Sequence, residues 1–203
     1  MKKSANKAVS DTRGRIVLAA FDEFYKNGFQ GSSINHIIEK AGTTKGGLFH
    51  HFADKKVLGY AVLEEIIQPE IRRRWLEPLA GSVDPIADIK RVSQQLVKED
   101  VKSGLVPQGC PLNNLAQEMS SLDEGFRKRI ERVYTEWRGC LEAAFAQGIK
   151  TGKVKKGVSP QNVAIFIVAV QMGTAGSAKN SQSADLMTRA VEAMSAYLDT
   201  LVP

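Results

Sequence analysis

A glycine between two short apolar runs constrains this chain more than any other feature. Ile34, Ile37, Ile38 and Ala41 recur at i, i+3, i+4 and i+7, the spacing of one helical face, and Gly42 ends the run with the residue best suited to turning out of a helix. Helical spacing then resumes. Thr43 stands where it can cap a helix on which Leu48 and Phe52 share a face, and Asp54 where it can cap another beginning at Lys55. Upstream, Ser10 and Asp11 precede a stripe of Ile16, Ala20 and Phe24, flanked by Val17 and Phe21, that stops at Asn27-Gly28.

Beyond residue 60 the same periodicity continues. It predicts helical segments to Ile67 and on past Pro69 to about Leu79, then Pro85 to Ser103, Leu112 to Ser120, Glu124 to Gly148, Ser159 to about Lys179, and Asp185 to Leu201. No sustained period-2 alternation bounded by turn residues is present, so the expected fold class is all-α. The expected division is a domain of short helices over 1–60 and a larger helical domain over 61–203. The run Val163 to Val170 is apolar nearly all round, which requires a second covering face.

Two short helices around a tight turn read as a helix-turn-helix, whose first helix braces on the DNA backbone while the second enters the major groove. With Leu48 and Phe52 turned inward, Thr44, Lys45, Gly47, Phe49 and His50 point outward. Gly46 and Gly47 cost about 1 kcal/mol each in a helix relative to Ala, and close backbone approach to a polyanion would justify them. Thr43, Thr44 and His50 can donate to phosphate oxygens or base edges, and Lys55 puts an ammonium and an amide at a helix start. His36 is a further candidate to face phosphate. Charge agrees: residues 1–60 carry ten Lys/Arg against five Asp/Glu, whereas the remainder carries 18 against 17, and a local positive excess attracts polyanions.

Other chemistries fit less well. All three histidines, His36, His50 and His51, lie in this segment. No paired carboxylates or base-assisted nucleophile stand out, so an enzyme is not expected. His50 and His51 project about 100° apart on a helix and do not face a common ion, so neither metal nor cofactor is expected. Gly42 to Gly47 lacks the Lys-Ser/Thr of a phosphate loop. No apolar run approaches the roughly 20 residues of a membrane span, residues 1–10 lack the apolar core of a secretory signal, and two cysteines exclude a disulfide framework. The expectation is a cytoplasmic protein without a membrane partner.

Gly28-Phe29, Ser33-Ile34, Ile37-Ile38, Ala41-Gly42, Lys45-Gly46, Leu48-Phe49-His50-His51-Phe52 and Lys55 together resemble the DNA-binding signature of the TetR family of transcriptional regulators. The resemblance is detailed over about residues 12–60. It implies an all-α homodimer that represses transcription from double-stranded, pseudo-palindromic operator DNA until a small-molecule effector binds. For the domain over 1–60 it implies helix-turn-helix DNA binding, and for that over 61–203 ligand binding with dimerisation. By position it assigns Lys45, Phe49, His50 and Lys55 to the phosphate backbone, puts Thr44 and Gly47 near the bases, and includes Ser33, Thr43 and Gly46 in the DNA-binding set. Phe49 replaces the family's usual Tyr, and Gly47 a commoner Thr, Ser or Ala. The last two helices resemble the family's four-helix dimer interface, which implies Phe166, Ala169, Val170, Gly173, Leu186, Ala190, Met194 and Leu198 as interface residues. An effector-independent architectural DNA binder is the alternative within the same chemistry.

The apolar residues most suited to lining an effector cavity are Trp75, Leu112, Leu115, Met119, Trp137, Leu141, Phe145 and Phe166, with Cys110 beside them and Asn113, Asn114, Gln117 or Gln171 as orienting groups. Pro111 would put Cys110 at a helix start, where thiolate is favoured. The Gly109-Cys110 pair is similar to an element of a TetR subgroup in which some members answer oxidants or electrophiles through the cysteine. Read from the residues alone, Cys110 is a small buried side chain with no Lys, Arg or His close in sequence.

Overall fold

The structure is a computed structural model describing residues 11–203, and all regular structure among them is helical. Ser10 and the basic segment before it, with Lys2, Lys3 and Lys7 of the N-terminal charge excess, lie outside the described residues.

Local caps explain where the first helices begin and end. Asp11 opens α1 (Thr12–Asn27), its carboxylate accepting from the Gly14 amide at 2.6 Å. Ser33 opens α2 (Ile34–Ala41) by accepting from the His36 amide. Gly42 closes it in the left-handed region at φ 60°, where its N–H reaches Glu39 O and the Thr43 N–H reaches Ile38 O. The cap of α3 (Lys45–His51) is Thr44, not Thr43: its hydroxyl accepts from the Gly47 amide at 3.0 Å. Because the Thr43 amide still belongs to the closing turn of α2, the next helix starts one residue later than expected. Asp54 opens α4 (Lys55–Val62) through the Val57 amide.

Past Val62 the helical backbone runs on through Leu63–Ile67 and Arg72–Leu76, two widened π turns either side of Gln68–Ile71, and ends in a 3-10 turn at Glu77–Leu79. Each widened turn stands ahead of a proline, Pro69 and Pro78. Proline lacks an N–H and crowds the carbonyl four residues back, and widening the helix relieves both. The remaining helices are α5 (Pro85–Ser103), α6 (Pro111–Met119), α7 (Glu124–Lys150), α8 (Pro160–Ser181) and α9 (Ala184–Asp199).

Two compact units result, one of the chain up to Pro69 with Asn114–Ile130, the other of Glu70–Asn113 with Glu131–Pro203. The expected boundary at residue 60 therefore differs from the observed grouping, in which a segment far along the chain joins the N-terminal helices. An aromatic row holds the first unit's core: Phe24 against Phe29 at 5.1 Å, Phe29 against Phe126 at 4.9 Å, and Phe126 against Tyr60 at 4.8 Å. Gly59 lies against this row, and a Cβ there would fall 2.6 Å from the Phe126 ring and 2.7 Å from that of Phe29.

The second unit is built on Ile89, Leu112, Trp137, Leu141, Phe145, Ile167 and Leu198, all fully buried, with the Trp75 ring 5.0 Å from that of Trp137. Helix α8 buries only one face within the protomer. Val163, Ala164, Ile167 and Val168 point inward, while Ile165 is 55% and Phe166 39% exposed, and Ala169 and Gly173 are exposed too. Two of the expected interface residues do not belong to that face. Met194 and Leu198 are 2% and 0% exposed and form the protomer's own core, because α9 turns this stripe inward.

Candidate nucleic-acid interface

Helix α3 is fastened by two buried side chains, Leu48 and Phe52, and everything between them faces away. Lys45, Gly46, Phe49 and His50 are exposed and Gly47 half-buried, which gives a short helix with one anchored side and one bare side. Lys45 pairs with no carboxylate among the described residues, so its ammonium is available to an external anion. Phe49 is bare as well, at 40% exposure, a cost that burial against a partner would recover.

The two glycines differ. At Gly47 a Cβ would lie 2.5 Å from the Thr43 hydroxyl, so the Thr43 side chain already fills the space a larger residue would need. At Gly46 the nearest atom would be 3.9 Å away, an ordinary contact. Among the described residues nothing crowds position 46, and the missing side chain leaves the helix backbone there open to close approach from outside. The Thr44 hydroxyl accepts the cap bond and keeps its proton to donate.

Lys55 does something other than expected. Its ammonium donates to Ser32 O at 2.7 Å and Gln30 O at 3.2 Å and lies 5.1 Å from the Phe29 ring centre. Burial pulls this lysine below its ordinary range, partly offset by the Glu118 and Glu23 carboxylates. The ammonium thus braces the turn between α1 and α2 from within.

Two carboxylates, both missed in the sequence, complete the brace. Glu118 accepts from the amides of Phe29 at 2.8 Å and Gln30 at 2.7 Å. Glu23 accepts from the Ser33 amide at 3.0 Å, the bond that holds its carboxyl below the usual range, and lies 3.5 Å from His36 Nδ1. Glu23 fills the capping role that His36 cannot, and the His36 ring turns to that carboxylate while remaining largely exposed. Asp123 ties the same segment to α4, accepting from Tyr60 at 2.6 Å and pairing with Lys56 at 2.9 Å; these bonds hold its carboxyl far below the usual range. The rings of His50 and His51 stand edge to face. Among the described residues no group of three or more His, Cys, Asp or Glu could hold a metal ion, and no helix is long and apolar enough to cross a membrane.

The residues expected around an effector divide between the units. Leu115 and Met119 are buried in the first, and Phe166 lies on the bare face of α8 with its ring 4.4 Å from that of Tyr197, so it lines no interior. Trp75, Leu112, Trp137, Leu141 and Phe145 are buried in the second unit. Two expected orienting amides are engaged there, Asn113 on Met172 O and Gln171 on Ser93 Oγ, both at 3.3 Å; Asn114 and Gln117 belong to the first unit. Cys110 does precede α6, with the amides of Leu112 and Asn113 favouring thiolate. Burial outweighs them and pushes its thiol up, with Cys140 pushed the same way by burial.

A capped brace helix, a left-handed glycine and an anchored second helix with a bare cationic side define a helix-turn-helix regulator. Comparison with known proteins agrees. Residues 16–62 match the profile of bacterial regulatory proteins of the tetR family, and residues 92–194 that of the tetracyclin repressor-like C-terminal domain. The chain is 32% identical to the HTH-type transcriptional regulator RutR of Escherichia coli (strain K12) over 167 residues, covering 81% of this chain and 74% of that protein. An uncharacterised HTH-type transcriptional regulator of Lactococcus lactis subsp. lactis is 29% identical over 126 residues, 62% of this chain and 64% of that protein. Among solved structures, a TetR transcriptional regulator from Chloroflexus aurantiacus J-10-FL superposes with a TM-score of 0.82 at 26% identity, covering 100% of this chain and 98% of that one. The chain belongs to the TetR family of transcriptional regulators, and it is a regulator rather than an enzyme.

Proposed function

We propose that this protein is a cytoplasmic repressor that binds double-stranded, pseudo-palindromic operator DNA as a homodimer and is released by a small-molecule effector held in its C-terminal unit. The bare face of α3 carries the reading: Lys45 supplies a charge that no carboxylate among the described residues pairs, Gly46 admits close backbone approach, and Thr44, Phe49 and His50 stand beside them. Dimerisation is supported by the exposed apolar face of α8 at Ile165, Phe166, Ala169 and Gly173, which a second copy would cover, with Val170, Leu186 and Ala190 half-buried nearby. Paired recognition helices suit half-sites one helical turn, about 34 Å, apart. Footprinting on DNA flanking the protein's own gene tests the reading. A symmetric protected site lost on addition of a small molecule is expected, whereas weak protection without sequence preference would favour an architectural DNA binder.

Release by an oxidant or electrophile through Cys110 is the finer version. Its support is the position of Cys110 directly before Pro111 at the start of α6; its burden is a thiol kept protonated by burial. Cys110→Ser is expected to abolish such release while leaving operator affinity intact. Normal release from the variant would sink this version alone.

A further inference from the structure

Tryptophan carries one hydrogen-bond donor and no acceptor, and buried indoles nearly always place that donor on a partner. Trp137 on α7 does not. Its side chain is fully buried in the second unit, 0% exposed, yet Nε1 is the one buried side-chain nitrogen or oxygen among the described residues with no hydrogen-bond partner. Leaving such a group unpaired is a standing cost that an arriving acceptor would remove.

The surroundings define what that acceptor belongs to. The Trp75 ring lies 5.0 Å from the Trp137 ring at 36°, so aromatic surface adjoins the ring that carries the unpaired donor. Tyr134, three residues before Trp137 on the same helix, shares its side of α7 and lies close enough to Cys110 for the two to interact electrostatically. Burial raises both the Tyr134 hydroxyl and the Cys110 thiol, yet each residue keeps some accessible surface. In their neutral forms both groups can donate. The charged side chains acting on them are already paired with one another: Arg74 with Asp100 through two bonds of 2.7 Å, and Arg138 with Glu131. The neighbourhood offers donors and aromatic faces but no uncompensated charge.

We propose that Trp137 Nε1–H is the orienting donor of a binding site, walled by Trp75 and bordered by Cys110 and Tyr134, for a neutral, planar small molecule bearing a carbonyl-type acceptor. This rests on the effector-release reading and gives the effector its chemical class.

The test uses the full chain with 15N-labelled tryptophan. Its two tryptophans give two indole N–H resonances, which Trp75→Phe assigns. The probes are acetophenone, 1-indanone and 9-fluorenone, each compared with its acceptor-free counterpart, ethylbenzene, indane or fluorene, and with 4-acetylbenzoate as a charged ketone. At least one ketone is expected to move the Trp137 indole proton downfield and to bind about tenfold more tightly than its hydrocarbon, the effect of one buried hydrogen bond. Trp137→Phe is expected to erase that preference, and 4-acetylbenzoate to bind more weakly than acetophenone. The site is overturned if no ketone moves the resonance, if ketone and hydrocarbon bind alike, if the preference survives in Trp137→Phe, or if the anion binds more tightly. Should Trp137→Phe fail to fold, the wild-type comparison still decides. Operator release separates the two ideas: a ketone seated on Trp137 that leaves the protein on DNA overturns effector release and keeps the site. A molecule that releases wild type and Trp137→Phe equally overturns the site and keeps effector release.

Discussion

Lysine ammonium groups can serve three acceptors, and Lys45 and Lys55 use that capacity in opposite directions. Lys55 gives two of its bonds to Ser32 O and Gln30 O, whereas Lys45 is exposed and pairs with no carboxylate among the described residues. Lys45→Ala is therefore expected to weaken operator binding and reduce the slope of log K against log salt by about 0.9, the share of one phosphate. Lys55→Ala is expected to leave the slope within error and to lower stability by about 1–3 kcal/mol, since two carbonyls lose a charged donor. Binding isotherms at several salt concentrations, read beside urea unfolding, separate the two. A flattened slope in Lys55→Ala would mean that the ammonium leaves its carbonyls for phosphate. Spacing and family resemblance put both lysines near DNA, and what they lacked was Gln30 and Ser32, 25 and 23 residues away, which meet Lys55 only after the chain has folded.

At the scale of elements, what could be read ahead was what is local. The caps by Asp11, Ser33 and Asp54 span three residues, as does the Ser159 cap of α8, and Asp54 could be read as a cap in the sequence because donor and acceptor belong to one turn. Thr44 displaced Thr43 by one position for an equally local reason. The carboxylates that bind elements to each other were not visible: Glu118 lies 89 and 88 residues from the amides it accepts from, and Asp123 lies 63 from Tyr60. No spacing rule reaches that far. Glu23 offers a test of such a bond through pH. Its folded carboxyl is held below the ordinary range mainly by the Ser33 amide, so the stability it supplies is present above the unfolded carboxylate range and is lost as pH falls through the folded value. Glu23→Gln keeps an acceptor but cannot titrate. The stability difference between wild type and Glu23→Gln in urea is expected to shrink as the solution is acidified from neutral, and a difference independent of pH would mean that Ser33 does not hold the charge. Glu23→Ala loses the acceptor as well and is expected to cost about 1 kcal/mol or more at neutral pH.

For the molecule as a whole, the decisive surface is the one α8 leaves bare. Its sequence is apolar nearly all round, and the protomer buries only half of that, so the remaining apolar area is a free-energy source that a second copy can use. The dimer set read from the sequence mixed two kinds of residue that share the same helical spacing. Phe166 and Ala169 face out, whereas Met194 and Leu198 are core, and spacing alone cannot tell which apolar face of a helix the protomer itself buries. The two kinds should part under substitution. Ile165→Asp with Ala169→Asp puts charge on the bare face without touching the core. That variant is expected to sediment as a monomer, keep its helicity and unfolding midpoint at matched low concentration, and lose operator affinity because one recognition helix cannot span two half-sites. Leu198→Ala is expected instead to cost about 2–5 kcal/mol of protomer stability by opening a cavity, with any loss of dimer following from unfolding. Sedimentation and calorimetry on the same samples resolve the two. A stable dimer in the double aspartate variant would place the interface elsewhere, and with it the spacing at which two copies of α3 meet DNA.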